Sequence, residues 1–209
     1  MKKLIISILS AVILLSCESA PVKTEINESS PIENAKKIAI ILRTPQNSAI
    51  LREEIFTSVN SWLYGYFREK EIIFIPDFPE NLTEYASQEE SFFQLTPENE
   101  FLQHKSIGVL NQFVKENNEE INGNMEKNAC DLLLIFEVNA VYSEAMQNMS
   151  YKTVIAVIGK NSNILHFDHQ AQYAEITKPG YGEIKPDLLN RISKRLTDYL
   201  NETKFIRKI

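Results

Sequence analysis

Apolar residues in this chain gather into short dense runs and three helical stripes, separated by polar stretches rich in Asn, Glu and Pro. Lys36–Leu42 (KKIAIIL) is β-rich and almost continuously apolar, the pattern of a strand covered on both faces. Pro45–Asn47 forms a short loop, and Ser48 is placed to cap a helix. From Ala49 to Glu69 the apolar positions recur at helical intervals. Leu51, Ile55, Val59, Trp62 and Tyr66 form the stripe, and Phe56, Leu63 and Phe67 widen it. Glu71–Pro76 (EIIFIP) reads as a second strand, which completes a right-handed βαβ unit. Asp77–Asn99 then reads as a long loop, with two prolines, an acidic stretch at Glu89-Glu90 and the pair Phe92-Phe93.

A second helix is expected over about Glu100–Met125, burying Phe101, Ile107, Leu110, Phe113, Val114 and Ile121 and leaving Glu116–Glu120 solvated. Asp131–Val141 (DLLLIFEVNAV) is the most apolar run after the leader and predicts a central strand. Met149–Ile158 and Ile164–Ile176, joined through Gly159–Asn163, predict an antiparallel hairpin. Pro186 suits the first turn of a closing helix that buries Leu188, Leu189, Ile192, Leu196, Tyr199 and Leu200. The fold class is therefore α/β (α+β): a mixed sheet of about five strands with helices packed on it, in the order β-α-β-α-β-β-β-α.

The chain opens MKKLIISILSAVILLSC, two lysines followed by an apolar run that ends at Leu15. That run is too short to span a hydrocarbon layer, which needs ~20 residues, and it describes an export signal. With Cys17 directly after Leu14-Leu15-Ser16, it resembles the lipobox of bacterial lipoproteins, although Leu15 stands where Ala, Ser or Thr is commoner. The resemblance implies cleavage before Cys17, a diacylglyceryl group on its thiol and an acylated new amino terminus. Glu18, rather than Asp, follows, which points to the outer membrane facing the periplasm. Residues 1–16 are thus read as the signal peptide, 17–35 as the lipidated cysteine with a flexible tether, and 36–209 as one α/β domain. The polar tether ESAPVKTEINESSPIENA would span about 20–25 Å as a coil and about 60 Å when drawn out.

The formal net charge is −6, and no basic cluster appears in the sequence. That balance argues against a nucleic-acid partner, and equally against flat adsorption on anionic lipid, leaving the acyl chains as the anchor. With Cys17 acylated, Cys130 has no partner for an intrachain disulfide, and its place at the mouth of an apolar run predicts a buried thiol. His166-Phe167-Asp168-His169 is the cluster with metal-capable residues, and His104 is the remaining histidine. On a strand, His166 and Asp168 share a face while His169 points away, so no metal site is expected there. Glu137 and Glu144 lie near the central strand; Glu137 falls among apolar residues, where a salt bridge is the expected outcome. No nucleophile elbow, phosphate loop or H-E-x-x-H stretch occurs, so neither enzymatic activity nor a cofactor is expected.

The order KKIAIIL, a helix ending WLYGYF, EIIFIP, a helix, CDLLLIFEV and the hairpin YKTVIAVIGKNSNILHFDHQAQY resembles a known α/β domain. It is shared by penicillin-binding-protein activator lipoproteins, the curli secretion lipoprotein and the amino-terminal domain of the Tol propeller protein. In those families a strand opening Ala/Cys-Asp precedes a hairpin with Gly or Asn in its turn, places taken here by Cys130-Asp131 and Gly159–Asn163. The resemblance implies a non-enzymatic envelope lipoprotein that binds or regulates a protein of cell-wall synthesis, secretion or envelope assembly. Phe92 and Phe93 are the first candidates for that contact, with Trp62 and Tyr64 the second. A pocket for a small ligand, between the sheet and the long loop, is the alternative. A hydrolase built from Glu137, His166 and Asp168 is a third arrangement for the structure to test.

Overall fold

The computed structural model of the chain describes residues 29–44, 48–75, 110–143, 148–175 and 181–208. Helix α1 (Ser29–Asn34) leads into β1 (Lys37–Arg43), α2 (Arg52–Leu63), β2 (Tyr66–Arg68) and β3 (Glu71–Phe74). A helical stretch over residues 110–116 runs on into α3 (Asn118–Lys127), and β4 (Leu132–Ser143) follows. Then come β5 (Asn148–Gly159), a 3-10 turn (Lys160–Ser162), β6 (Ile164–Glu175), α4 (Tyr181–Glu202) and β7 (Ile206–Lys208).

Five strands form one mixed sheet in the order β3-β1-β4-β5-β6. β1 pairs parallel with β3 and β4, and the β4–β5 and β5–β6 pairs are antiparallel. The five central residues of β1 are all buried, as a strand covered on both faces must be. Alternation then divides the core. Ile38, Ile40, Leu132, Leu134 and Phe136 meet Ile55, Val59 and Leu63 of α2 and Leu188, Ile192 and Leu196 of α4. Ala39, Ile41, Leu133 and Ile135 meet Phe113, Ile121 and Met125 on the opposite face. The mixed α/β sheet has the class and strand number expected from the sequence.

Several boundaries differ, each for a local reason. The first long helix stops at Leu63, where Tyr64-Gly65 turn the chain, so Tyr66 and Phe67 stand in β2 rather than in the helix. Its buried stripe is Ile55, Val59 and Leu63, while Leu51, Phe56 and Phe67 are exposed. The cap is Leu51, whose N–H donates to the Glu54 carboxylate at 2.9 Å. Ser48 instead accepts from Ile50 and Ala140 N–H, tying the loop after β1 to β4. Helix α4 begins at Tyr181, so Pro186 lies inside it rather than in its first turn. Ser29–Asn34 falls in the stretch that the sequence assigns to the tether, yet it is helical, and Ile32 and Ala35 are buried in the core. The folded domain therefore begins at least seven residues earlier than the sequence boundary, and 11 residues (Glu18–Glu28) separate it from Cys17.

Two elements had no signal in the apolar pattern. β2 and β7 form a small antiparallel ribbon, with Phe67 in register with Arg207. The chain enters β7 because α4 ends with Lys204 at φ 61°, while Phe205 N–H reaches back to the Leu200 carbonyl at 2.8 Å. Phe205 and Ile206 thereby join the core. Lys70 locks this end of the domain by donating to the Ile32 and Glu33 carbonyls at 3.2 and 2.7 Å, with its ammonium 4.4 Å from the Phe205 ring centre.

The start of β1 is tied to β4 through one carboxylate. Asp131 accepts from Lys36 N–H at 2.8 Å and Lys37 N–H at 3.2 Å, and Lys160 lies 3.5 Å away. These donors, the Lys36 N–H foremost, hold the Asp131 carboxyl below its ordinary range. A depressed folded value stabilises the fold above the unfolded value of about 4 and loses that effect as pH falls through the folded one. Asp131→Asn is therefore expected to lower the urea midpoint at neutral pH, with the gap to the parent closing in acid. A gap that stays constant with pH would show that the charge plays no part.

Candidate functional site

The antiparallel register decides which polar groups meet. Asp168 pairs with Ile155 and His166 with Val157, so both stand on the sheet face that carries Tyr151 and Thr153. Over that face lies α4, where Ile192, Arg195 and Tyr199 recur at helical spacing. The Arg195 guanidinium donates to Asp168 Oδ2 at 3.0 Å, to the Thr153 carbonyl at 3.0 Å and to the Thr153 hydroxyl. Its side chain is only 11% exposed. Burial pushes the guanidinium down to about 10 while Asp168 pulls it back up, so it remains a cation at neutral pH. The His166 and Tyr199 rings lie 4.9 Å apart at a tilt of 34°.

Beside this group is a cleft of about 400 Å³, bounded further by Arg191, Lys194, Asp198 and Glu202. Two polar atoms of its lining residues, Asp168 Oδ1 and the Tyr199 hydroxyl, are buried with no hydrogen-bond partner among the described residues. Burial, with Asp168 adding to it, raises the Tyr199 phenol well above its ordinary value, so it stays protonated. The arrangement presents an acceptor and a hydroxyl in a fixed frame, suited to holding a small polar molecule. The Thr153 hydroxyl faces a guanidinium rather than a base, which is the wrong neighbour for an activated nucleophile.

Glu137 stands apart from this group. It is 3% exposed and lies in register with Arg43, with 3.8 Å between their charged atoms. Burial holds the Arg43 guanidinium down at about 10, against the pull of Glu137. As an odd-numbered position of β4, Glu137 belongs to the face of Leu133 and Ile135, whereas His166 and Asp168 share the face of Leu134 and Phe136. The sheet separates them, so the hydrolase trio does not assemble. Cys130 is buried, its thiol raised chiefly by desolvation, and its Sγ is 3.6 Å from the Asn128 carbonyl. Among the described residues no three His, Cys, Asp or Glu side chains form a group that could hold a metal ion. His169 is in register with Val154, and its side chain lies outside the description.

Trp62 is half-buried, and its indole N–H is directed at Asn190 at 3.4 Å, in a groove where α2 meets α4. Tyr64, two residues on, is 84% exposed. Cys17, Phe92, Phe93, His104 and Glu144 lie outside the described residues. Arg195, Thr153 and Tyr151 belong to no motif in the sequence. One signal was available: Arg195 is a cation on a stripe defined by Leu188, Ile192 and Tyr199, a position that calls for a buried carboxylate opposite.

No family model matches the chain, and no curated protein matches it. Among solved structures, the chain is similar to the PelC dodecamer from Paraburkholderia phytofirmans, with a TM-score of 0.41 and 8% identity over 81% of this chain and 87% of that one. A point variant of the same dodecamer gives a TM-score of 0.42 and 8% identity over 78% of this chain and 86% of that one.

Truncating Arg195 to Ala strands Asp168 in the cleft, with an expected loss of about 3–5 kcal/mol in urea unfolding. Tyr199→Phe removes a hydroxyl that no described residue satisfies, and is expected to change stability by less than about 1 kcal/mol or to raise it. A large loss in Tyr199→Phe would show that the hydroxyl has a structural partner.

Proposed function

We propose that this chain is a lipid-anchored lipoprotein of the bacterial envelope that acts by binding another envelope protein rather than by catalysis. The observation that carries the reading is Cys17 at the end of a basic, then apolar leader, directly after Leu14-Leu15-Ser16. Each buried methylene of an acyl chain contributes about 0.8 kcal/mol, and one chain alone holds only marginally. Two or three chains on Cys17 make release negligible, so the domain works wherever its tether lets it reach. The aromatic pair Phe92-Phe93 is the contact we assign to the partner, a component of cell-wall synthesis, secretion or envelope assembly. The segment that holds this pair follows the carboxyl end of β3, opposite the end where α1 joins β1. Its sequence from 76 to 109 holds seven carboxylates against one lysine, which favours a partner with a basic surface.

A second reading rests on the cleft beside Arg195. There, the buried Asp168 Oδ1 and Tyr199 hydroxyl favour a small polar ligand that donates to the one and bonds the other. The two readings are compatible if the ligand modulates the partner.

Cells fed a clickable palmitate analogue are expected to label the parent protein and not Cys17→Ser, which should be found unprocessed or soluble. Crosslinking in intact cells should capture one stoichiometric partner, and replacing Phe92 and Phe93 with serine should weaken that crosslink with the melting temperature nearly unchanged. An unlabelled, freely soluble parent protein would end the proposal.

A further inference from the structure

The bulk charge of −6 conceals an uneven distribution. Lys37, Glu71 and Leu132, at the starts of β1, β3 and β4, and Gly159 at the close of β5 all lie at one end of the sheet. Helix α1, by which the chain from Cys17 enters, joins β1 at this end. The β2–β7 ribbon lies here too, because Lys70, next to β3, bonds the α1 carbonyls and Lys204, ahead of β7, pairs with Glu33 at 3.5 Å. The ribbon's six residues carry three cations and no carboxylate: Tyr66, Phe67, Arg68, Ile206, Arg207 and Lys208.

Tyr66 and Ile206 turn toward the core, while Phe67 is 61% exposed in register with an exposed Arg207. Tyr64, just ahead, is 84% exposed. Glu69 balances Arg207 at 3.8 Å and Glu33 balances Lys204, whereas Arg68 and Lys208 have no carboxylate within ion-pair distance among the described residues. Exposed aromatic rings interleaved with unpaired cations are what an anionic headgroup layer receives: rings at the acyl boundary, cations among phosphates.

We propose that this end of the domain docks on the bilayer surface, with Tyr64 and Phe67 seated among anionic headgroups and Arg68, Lys204, Arg207 and Lys208 bound to their phosphates. The occupant is set by the chain itself. The 11 residues between Cys17 and Ser29 reach at most about 40 Å, and they lead into α1, whose last carbonyls Lys70 bonds at this end of the sheet. The inference rests on acylation of Cys17, and it replaces the sequence expectation that charge excludes contact with anionic lipid. Net charge sums the whole chain, whereas the carboxylates of residues 76–109 belong to a segment that follows the other end of β3.

The test is hydrogen exchange by mass spectrometry on the mature, acylated chain in two vesicle preparations. One is phosphatidylcholine alone, the other equimolar phosphatidylcholine and phosphatidylglycerol. Peptides covering Tyr64–Lys70 and Thr203–Lys208 should exchange several-fold more slowly on the anionic vesicles, while those of β4 do not change. High salt, or the combined change Arg68→Glu, Arg207→Glu and Lys208→Glu, should remove the difference while the protein still floats with the vesicles. Equal exchange on both preparations, with flotation intact, overturns the docking face and leaves the anchor standing. A chain that carries no acyl group and does not float overturns both.

Discussion

The parallel pairing of β1 with β4 is the constraint from which the rest of the molecule follows. Ile38 to Leu42 and Leu132 to Val138 are apolar or buried at almost every step, so neither face of these strands can meet water. A sheet of that kind is stable only between two layers of helix, and the chain supplies α2 and α4 on one side and residues 110–127 on the other. Asp131 sets the register at the starting end by accepting two N–H groups of β1, and Ser48 closes the other end against Ala140. The polar exceptions must then satisfy each other within their own layer. Arg43 meets Glu137 on one face, and Arg195 meets Asp168 and Thr153 on the other. The same constraint that builds the core keeps these two charged pairs apart, so they cannot be parts of one catalytic site.

What the sequence reveals is the part of the fold decided by local pattern. The runs KKIAIIL, DLLLIFEV and the hairpin around Gly159 are long enough that no alternative burial exists, and they emerge as β1, β4, β5 and β6 within a residue or two. The closing stripe of Leu188, Ile192, Leu196 and Leu200 is buried as its spacing requires. The elements that escape are the ones held by tertiary contact. Ser29–Asn34 is polar and proline-containing, and its place in the fold comes from Ile32 and from a lysine 38 residues away in sequence. Phe67 continues the helical stripe on paper, yet Gly65 ends the helix and the ring turns outward on a two-stranded ribbon whose partner is the last strand of the chain.

The candidate cleft is a case where spacing and chemistry each held half of the signal. Composition shows only that arginine is present in α4. Its position between Ile192 and Tyr199 shows that it must enter the core, and a core arginine requires an acceptor on the sheet. Asp168 stands in the run His166-Phe167-Asp168-His169, whose composition points to metal chemistry, while its ion-pair partner lies 27 residues later on a helix. Tyr199 reads as an ordinary half-apolar core residue until its hydroxyl is found buried beside Asp168 without a described partner.

Orientation completes the physical picture. Strands of 12 residues make the sheet about 40 Å tall, comparable with the full reach of the 11 residues behind Cys17. An anchor alone would let such a domain tumble, so either end could face the bilayer some of the time. On the proposed acylation of Cys17 the acyl chains supply the attachment, and a surface patch then does not have to hold the protein; it only has to bias its rotation. About 1.4 kcal/mol of preference suffices for a tenfold bias, and juxtamembrane cations contribute about 1 kcal/mol each near an anionic leaflet. Arg68 and Lys208, unpaired among the described residues, lie within that range together with two exposed rings. The end of the sheet opposite the tether would then project away from the membrane, the side from which an envelope partner can approach.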